Sequence, residues 1–368
     1  MKIIITTLCV LSLSLLSAQD FNEKFQQEYF FGNLPSAKIE AMGRGDAAIG
    51  GSVASTFFNS AGLGGIEKQE VQLSYSAPFY ALENSNYYYA GYARRILPKL
   101  IVAFTVNSFA IGETTFNVNL GGKRYPVTKG LTSNYGLTVA GTPLKGLYLG
   151  ININLFRLRL FEDANAAYTI HFDGGALYKL KLKNFNQFAH HLQFGVSVNN
   201  FTASKINLVS PEGGEGKSSL PMIGRFAAAY FIGTEINLPV AGKGSLDFTL
   251  TMEYQNTFNT QYRKSFIVGF ETVLWKILAM RLGYFTQSVD DVGFENNRSR
   301  ITDFTYGFGA IVPLNSLTNE KVPLSIHLDY VSLKAPSYIY DGERLPNMRT
   351  FTLRVVWTLK NQTLTESN

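Results

Sequence analysis

The chain has 368 residues, a formal net charge of +6 and only 16% charged residues, where soluble domains average about 25%. Aromatic residues make up 14% of the chain, and Cys9 is the single cysteine. This composition excludes intrinsic disorder, which requires low hydrophobicity and high charge, and a disulfide-stapled scaffold, which requires cysteine pairs. Despite the basic pI, no nucleic-acid partner is expected, because no Lys/Arg run reaches five residues.

The N-terminus has the pattern of a secretory signal peptide. Lys2 provides a basic start, Ile3 to Leu16 form an apolar run, and Ala18 supplies a small residue for cleavage. We therefore predict a signal peptide over residues 1–18. The run is shorter than the roughly 20 apolar residues of a transmembrane helix. An exported chain without such a helix is either a soluble periplasmic β protein or an outer-membrane barrel.

Period-two alternation favours the barrel. In residues 245–255, Phe248 and Leu250 fall on one face of the predicted strand, and Thr249 and Thr251 fall on the other. Several further segments alternate in the same way. Their polar faces carry Gly, Thr, Asn and Ser rather than Lys, they are about 10 residues long, and aromatic residues sit near their ends, which is typical of transmembrane barrels.

We predict a closed antiparallel transmembrane β-barrel in the bacterial outer membrane, with fourteen strands. A barrel of twelve strands is the alternative. The predicted strands cover residues 70–77, 86–96, 99–109, 132–142, 145–157, 168–182, 189–201, 222–232, 245–257, 261–273, 275–286, 302–312, 322–332 and 349–359.

The connections between these strands mostly alternate in length. Short ones follow the second, fourth and tenth strands, and long ones follow the third, fifth, seventh, eleventh and thirteenth. Outer-membrane barrels have short periplasmic turns and long extracellular loops, so odd-numbered strands are expected to run outward. Two connections break the rule, because 233–244 is long and 258–260 is short.

The segment before the first strand carries a family resemblance. Residues 33–64 read NLPSAKIEAMGRGDAAIGGSVASTFFNSAGLG. They resemble the N-terminal signature of the FadL superfamily of fatty-acid transporters, especially the PorV/PorQ branch from the Bacteroidetes type IX secretion system. The matching elements are Ser36-Ala37-Lys38, Met42-Gly43-Arg44-Gly45-Asp46 and Asn59-Ser60-Ala61-Gly62-Leu63. Ser60 stands where the family usually has Pro, and residues 107–113 and 196–201 resemble later PorV segments.

The resemblance implies that residues 19–68 form an N-terminal hatch inside a barrel of residues 69–360, followed by a polar tail at 361–368. The segment is rich in small residues, which allow close backbone packing in a confined space. A flexible periplasmic linker is the alternative. The residues assigned to the hatch are Gly43, Gly45, Phe57, Phe58, Asn59 and Gly62.

The register of the predicted strands places charges of both signs inside the barrel. Confined charges of mixed sign are expected to form salt-bridge networks, so we expect no open water channel. The inward charges are Arg225, Asp247, Glu253, Glu271, Arg281, Asp303, Asp329 and Arg354.

No catalytic, metal-binding or cofactor motif occurs in the sequence, so we expect no enzyme and no cofactor. Two function classes remain. The first is a PorV-type component of type IX secretion that binds a translocon or cargo proteins. The second is a FadL-like uptake channel for a hydrophobic small molecule. Either would contact outer-membrane lipid.

The long loops carry apolar residues among polar ones. We predict a partner-binding loop at Tyr338, Ile339 and Tyr340, and exposed apolar residues between 202 and 221, at Ile206, Leu208 and Val209. Exposed apolar groups rimmed by polar residues commonly mark binding surfaces. The alternative is that these side chains cap the barrel mouth.

Overall fold

The computed structural model describes residues 34–77, 85–112, 117–120, 123–126, 129–162, 165–209, 212, 215–238, 242–259, 264–289, 299–318, 322–333 and 347–357. The predicted signal peptide, the polar tail and the loop with Tyr338, Ile339 and Tyr340 lie outside these residues. No helix in the described part of the chain is long and apolar enough to cross a membrane.

Most of the described chain is β-strand, because its alternating apolar and polar residues suit a sheet with two different faces. The strands are β1 (Gln69–Ala77), β2 (Ser85–Leu97), β3 (Leu100–Ile111), β4 (Asn117–Leu120), β5 (Lys123–Pro126), β6 (Leu131–Leu144), β7 (Leu147–Arg159), β8 (Ala167–Lys181), β9 (Ala189–Asn199), β10 (Lys205–Val209), β11 (Glu215–Ser219), β12 (Ile223–Leu238), β13 (Gly242–Thr257), β14 (Lys264–Leu274), β15 (Leu278–Val289), β16 (Ser299–Val312), β17 (Leu324–Leu333) and β18 (Met348–Trp357). A short helix, α2 (Leu314–Leu317), precedes β17.

Fourteen of these strands form a closed antiparallel barrel in the order β1-β18-β17-β16-β15-β14-β13-β12-β9-β8-β7-β6-β3-β2. β1 pairs with β18 from Gln69 opposite Trp357 to Ala77 opposite Arg349, and with β2 on its other side. Closure leaves no strand edge facing lipid, where each unpaired backbone group costs several kcal/mol. The predicted fourteen-strand barrel and its closure are confirmed, and the twelve-strand alternative is wrong.

The predicted long connection at 233–244 is wrong. β12 and β13 continue through it and pair from Gly233 opposite Asp247 to Leu238 opposite Gly242. Glycine in a sequence commonly indicates a turn, but Gly233, Gly242 and Gly244 lie in the paired strands. Four of the six connections at one end of the barrel, 98–99, 145–146, 239–241 and 275–277, therefore have only two or three residues, whereas every connection at the other end has six or more. We call the end with the short connections, such as 98–99 and 145–146, the turn end, and the opposite end the loop end.

The two faces of the barrel differ as the period-two pattern predicts. On β7, Ile151 and Ile153 are exposed on the outer face, whereas Asn152 and Asn154 are buried on the inner face. An apolar outer face on a closed, even-numbered antiparallel barrel is the architecture of bacterial outer-membrane proteins. The chain is an outer-membrane barrel, and its loop end is extracellular because the longer connections lie there.

Residues 34–66 form a compact segment before β1, which we call the plug. It contains a short helix, α1 (Ala37–Ala41), and two 3₁₀ turns (Val53–Phe57 and Ser60–Gly65). Most of its side chains are buried. Its backbone bonds to inward side chains on opposite sides of the barrel, Glu70 on β1 and Glu253 on β13. The plug therefore lies inside the barrel, and its function as a hatch stays a prediction.

Candidate functional site in the barrel interior

Carboxylates of the barrel wall hold the backbone of the plug. The N–H of Ala47 donates to Glu253 Oε2 at 2.9 Å, and the N–H of Val53 donates to Glu70 Oε1 at 2.8 Å. Each bond pairs a backbone N–H that would otherwise be left without a partner in the interior. These two glutamates therefore fix the middle of the plug to opposite walls.

Inward glycines allow the plug to approach the wall closely. A Cβ atom at Gly195 of β9 would overlap the backbone of Ala47, and one at Gly283 of β15 would overlap the backbone of Gly43. Gly43 itself has a positive φ of 76°, a conformation that favours glycine. The contact between Gly43 of the plug and Gly283 of the wall thus requires glycine at both positions.

A connected set of ionic contacts runs from the plug to β14 and on through β15 to β17. Arg281 lies 2.6 Å from Glu271 and 2.6 Å from Asp329. Lys38 of the plug reaches the same Glu271 at 2.9 Å. The side chains of the three wall residues are almost fully buried, so loss of any partner would leave an uncompensated charge.

Three more of the predicted lumen charges form two ion pairs, one between two predicted residues and one with a residue that was not predicted. Arg225 lies 3.6 Å from Glu253, and its guanidinium stands 5.1 Å from the ring centroid of Phe58. Arg354 lies 3.5 Å from Glu70. The sequence pattern did not identify Glu70, which closes the second of these pairs.

The other two predicted lumen charges lie apart from these contacts. Asp247 and Asp303 occupy inward register positions but are only half-buried. Asp303 Oδ1 accepts from the N–H of its neighbour Phe304 at 2.8 Å. Neither forms an ion pair with a described residue.

Asn59 organises the second half of the plug. Its Oδ1 accepts from the N–H of Ala61 at 3.0 Å and so caps the second 3₁₀ turn, and its Nδ2 donates to the carbonyls of Ala47 and Ala176. The remaining predicted hatch residues are also in contact with their surroundings. Gly45 lies beside Glu253, Gly62 lies against Ser55, Phe58 is buried and Phe57 is half-buried.

The plug contains two buried acidic residues, Asp46 and Glu40, that the sequence analysis did not predict as site residues. Burial raises the pKa of Asp46 from its ordinary 3.8 to about 7. Burial also raises the pKa of Glu40, and Arg44, 3.1 Å away, opposes that rise. The plug has no period-two pattern, so its sequence does not show which of its acids become buried.

A second polar network, made mostly of amides, lines β6, β7 and β8. Asn152 and Asn154 both donate to Asp173 Oδ2, at 3.1 and 2.7 Å. Asn134 donates to Asn154 at 2.8 Å, and His171 Nδ1 lies 3.2 Å from Asp173 Oδ1. The network is buried and largely satisfied by its own members. In the described part of the chain, no group of three or more His, Cys, Asp or Glu could hold a metal ion.

The loop end of the interior is apolar, unlike the lumen below it. The hairpin of β10 and β11 folds over the mouth, and Asn200 anchors it by donating to Asp173 Oδ1 through its N–H at 2.7 Å and to the carbonyl of Leu220 at 3.0 Å. We call the buried apolar cluster under the hairpin the vestibule. It comprises Phe109, Ile111, Phe156, Leu158, Leu160, Phe161, Ile206, Leu208, Leu220, Leu333 and Met348.

The vestibule corrects one expectation for the loops. Ile206 and Leu208 are buried at 0% and 4% exposure, so they cap the mouth instead of forming an exposed binding surface. Val209 alone of the three is exposed. Alternation along β10 turns two of these side chains inward, and the hairpin itself had not been recognised in the sequence.

The spaces between plug and wall are small. A cavity of about 30 Å³ lies beside Phe57 and Asp173, and another of about 50 Å³ lies beside Arg44 and Phe285. A larger apolar groove of about 880 Å³ runs over the barrel wall across β2, β1, β18, β17 and β16. Tyr75 and Phe351 border it, and both are exposed on the outer face.

No protein-family model and no curated protein matches this chain. Solved structures give only distant similarity. The toluene transporter TodX of Pseudomonas putida shares 10% identity over 88% of this chain and 97% of that chain, with a TM-score of 0.41. The toluene transporter TbuX of Ralstonia pickettii shares 10% identity over 89% of this chain and 100% of that chain, with a TM-score of 0.43. A Pseudomonas aeruginosa FadL homologue shares 10% identity over 89% of this chain and 99% of that chain, also with a TM-score of 0.43. The barrel assignment rests on the strand pairing of this chain itself.

Proposed function

We propose that the protein takes up a hydrophobic small molecule across the outer membrane, with the plug as a movable hatch. The observation that carries this proposal is the vestibule. The inner face of an outer-membrane barrel is normally polar, yet Phe109, Phe156 and Met348 face inward at the loop end.

An apolar vestibule favours an apolar ligand over an ion or a sugar. Transfer of apolar surface from water is worth roughly 25 cal/mol per Å² and needs no directional partner. A polar solute would lose hydrogen bonds to water there without replacement. The molecule therefore enters under the hairpin and meets the plug, whose Leu34 belongs to the same apolar cluster.

Passage requires the plug to move. A small-molecule site has a volume of roughly 300 Å³ or more, whereas the cavities between plug and wall measure about 30 and 50 Å³. These two cavities are too small for such a molecule, and the bonds of Lys38, Ala47 and Val53 hold the plug against the wall beside them.

A reversible crosslink tests this function. The N–H of Ala37 donates to Thr352 Oγ1 at 2.9 Å, and the only native cysteine is Cys9. We expect Ala37→Cys with Thr352→Cys to block uptake of a labelled hydrophobic dye into proteoliposomes when oxidised and to restore it after reduction. The Thr352→Cys single variant is the matched control. Equal uptake before and after reduction would reject the movable hatch.

A filled interior also favours a second candidate function. Because the cavities beside the plug are so small, the barrel fits a non-enzymatic component of PorV type that binds proteins of type IX secretion with its loops. In that case Tyr338→Ala with Tyr340→Ala leaves the heat-modifiable gel shift of the folded barrel intact and reduces partner capture in a pull-down from solubilised membranes. Unchanged partners together with lost dye uptake would favour the transporter.

A further inference from the structure

Charged side chains on the outer face of the barrel have one sign. None of the fourteen described barrel strands places an Asp or Glu on that face. Basic residues do occur on the outer face. Among those whose exposure is described, Arg94 lies at the turn end, and all others lie at the loop end. The residues at the loop end are Arg157, Arg159, Lys264 and Arg349.

Arg157 and Arg159 form the densest part of this basic rim. They continue the outer face of β7 beyond Ile153 and Leu155, so they follow directly on the lipid-facing apolar residues. Side chains two residues apart on one strand face are about 7 Å from each other. The pair therefore stands at the level where the extracellular leaflet changes from hydrocarbon to headgroups.

Neither arginine has a partner in the described part of the chain. Both Nε atoms are buried and make no hydrogen bond, and neither guanidinium forms an ion pair with a described residue. Inside the barrel, by contrast, Arg281 has two carboxylate partners. Register neighbours of Arg157 are Ser133 and Tyr168, which add hydroxyl groups rather than charge.

We propose that Arg157 and Arg159 form a binding site for the phosphate groups of a phosphorylated glycolipid in the outer leaflet. A guanidinium presents a planar fork of donors that matches phosphate oxygens, and a phosphate would supply the charged partner that neither guanidinium has among the described residues. The absence of acidic side chains from the described outer face removes any competing partner. This site is independent of the plug and of the proposed uptake.

The test measures binding of purified lipid A to the full-length protein in detergent by native mass spectrometry. A basic residue near an anionic surface is worth about 1 kcal/mol, or roughly fivefold in affinity. We therefore expect Arg157→Gln with Arg159→Gln to weaken binding about 25-fold. Arg94→Gln, which removes an outer-face arginine at the turn end, is the matched control and should leave binding unchanged.

The lipid itself provides the second comparison. Fully dephosphorylated lipid A should bind the wild-type protein as weakly as phosphorylated lipid A binds the double variant. Equal binding of the two lipids, or equal losses in the double variant and the control, would overturn the site. Competition by millimolar inorganic phosphate would show a general anion site and would overturn the assignment to a lipid. The heat-modifiable gel shift verifies that each variant is folded.

Discussion

The interior of the barrel has two halves that contact the plug differently. In the ionic half, on β13 to β18 and β1, Glu70, Glu253 and Glu271 bond directly to plug groups. In the amide half, on β6 to β8, Asn134, Asn152, Asn154 and Asp173 bond mainly to one another. The amide half meets the plug largely by shape, with Ser60 and Ala61 of the plug seated against Gly150.

The ionic half therefore keeps the plug bound to the wall, whereas the amide half stabilises the wall itself. A bond between plug and wall must break when the plug leaves, whereas a bond within the wall need not. Loss of a charge in the ionic half should therefore loosen the plug. A change in the amide half should weaken the wall and the hairpin that Asn200 ties to Asp173.

The largest effect is expected for Glu271→Ala. This change removes the partner of Lys38 and one of the two partners of Arg281, and breaking a buried ion pair costs about 3–5 kcal/mol. Urea unfolding in micelles would measure the loss. In an Ala47→Cys background, thiol labelling would rise because the plug loosens. Glu67→Ala, at an exposed position, is the control and should change neither measurement.

A smaller effect is expected for Asp173→Asn. The new amide would keep the shape but would put a donor beside the amides of Asn152 and Asn154, and a buried unsatisfied donor costs about 1–3 kcal/mol. Limited proteolysis should cut the 200–222 connection faster, while labelling of Ala47→Cys stays at the wild-type level. Labelling as strong as in Glu271→Ala would mean that the two halves do not differ.

The smallest effect concerns pH and Asp46. Its pKa is about 7 in the docked plug against an ordinary 3.8, so the docked state binds the proton more tightly. The stabilisation is present at low pH and is lost as pH rises through 7, by about 1 kcal/mol between pH 6 and pH 8. Labelling of Ala47→Cys should increase over that range. Asp46→Asn should remove the dependence, and a persistent pH effect would assign it to another group.

The barrel strands could be predicted because alternation records a property of every residue, the face on which it lies. Phe248 and Thr249 show this even without knowledge of their neighbours. The prediction failed at 233–244, because glycine weakens the alternation and imitates a turn, whereas a paired hairpin accepts it.

The site was less predictable because it depends on pairings between distant segments. Glu253 and Arg281 could be placed inside the barrel from register alone. The contact between Glu271 and Lys38 joins residues 233 positions apart. It could not be predicted without knowing the path of the plug through the barrel. In the sequence, Asn152 and Asn154 look like ordinary residues of a polar strand face. Nothing near them in the sequence indicates that both donate hydrogen bonds to Asp173.

The unequal strand lengths of the barrel have a consequence for amide exchange. β12 and β13 have 16 residues each, but β9 and β14 stop pairing with them at Gly233 and Leu246. The rest of the hairpin projects at the turn end as a two-stranded finger, and no described strand pairs with either of its outer edges. Deuterium should enter its outward N–H groups within seconds, while the closed wall beside it keeps its protons for hours, so the finger offers the periplasm an accessible strand edge.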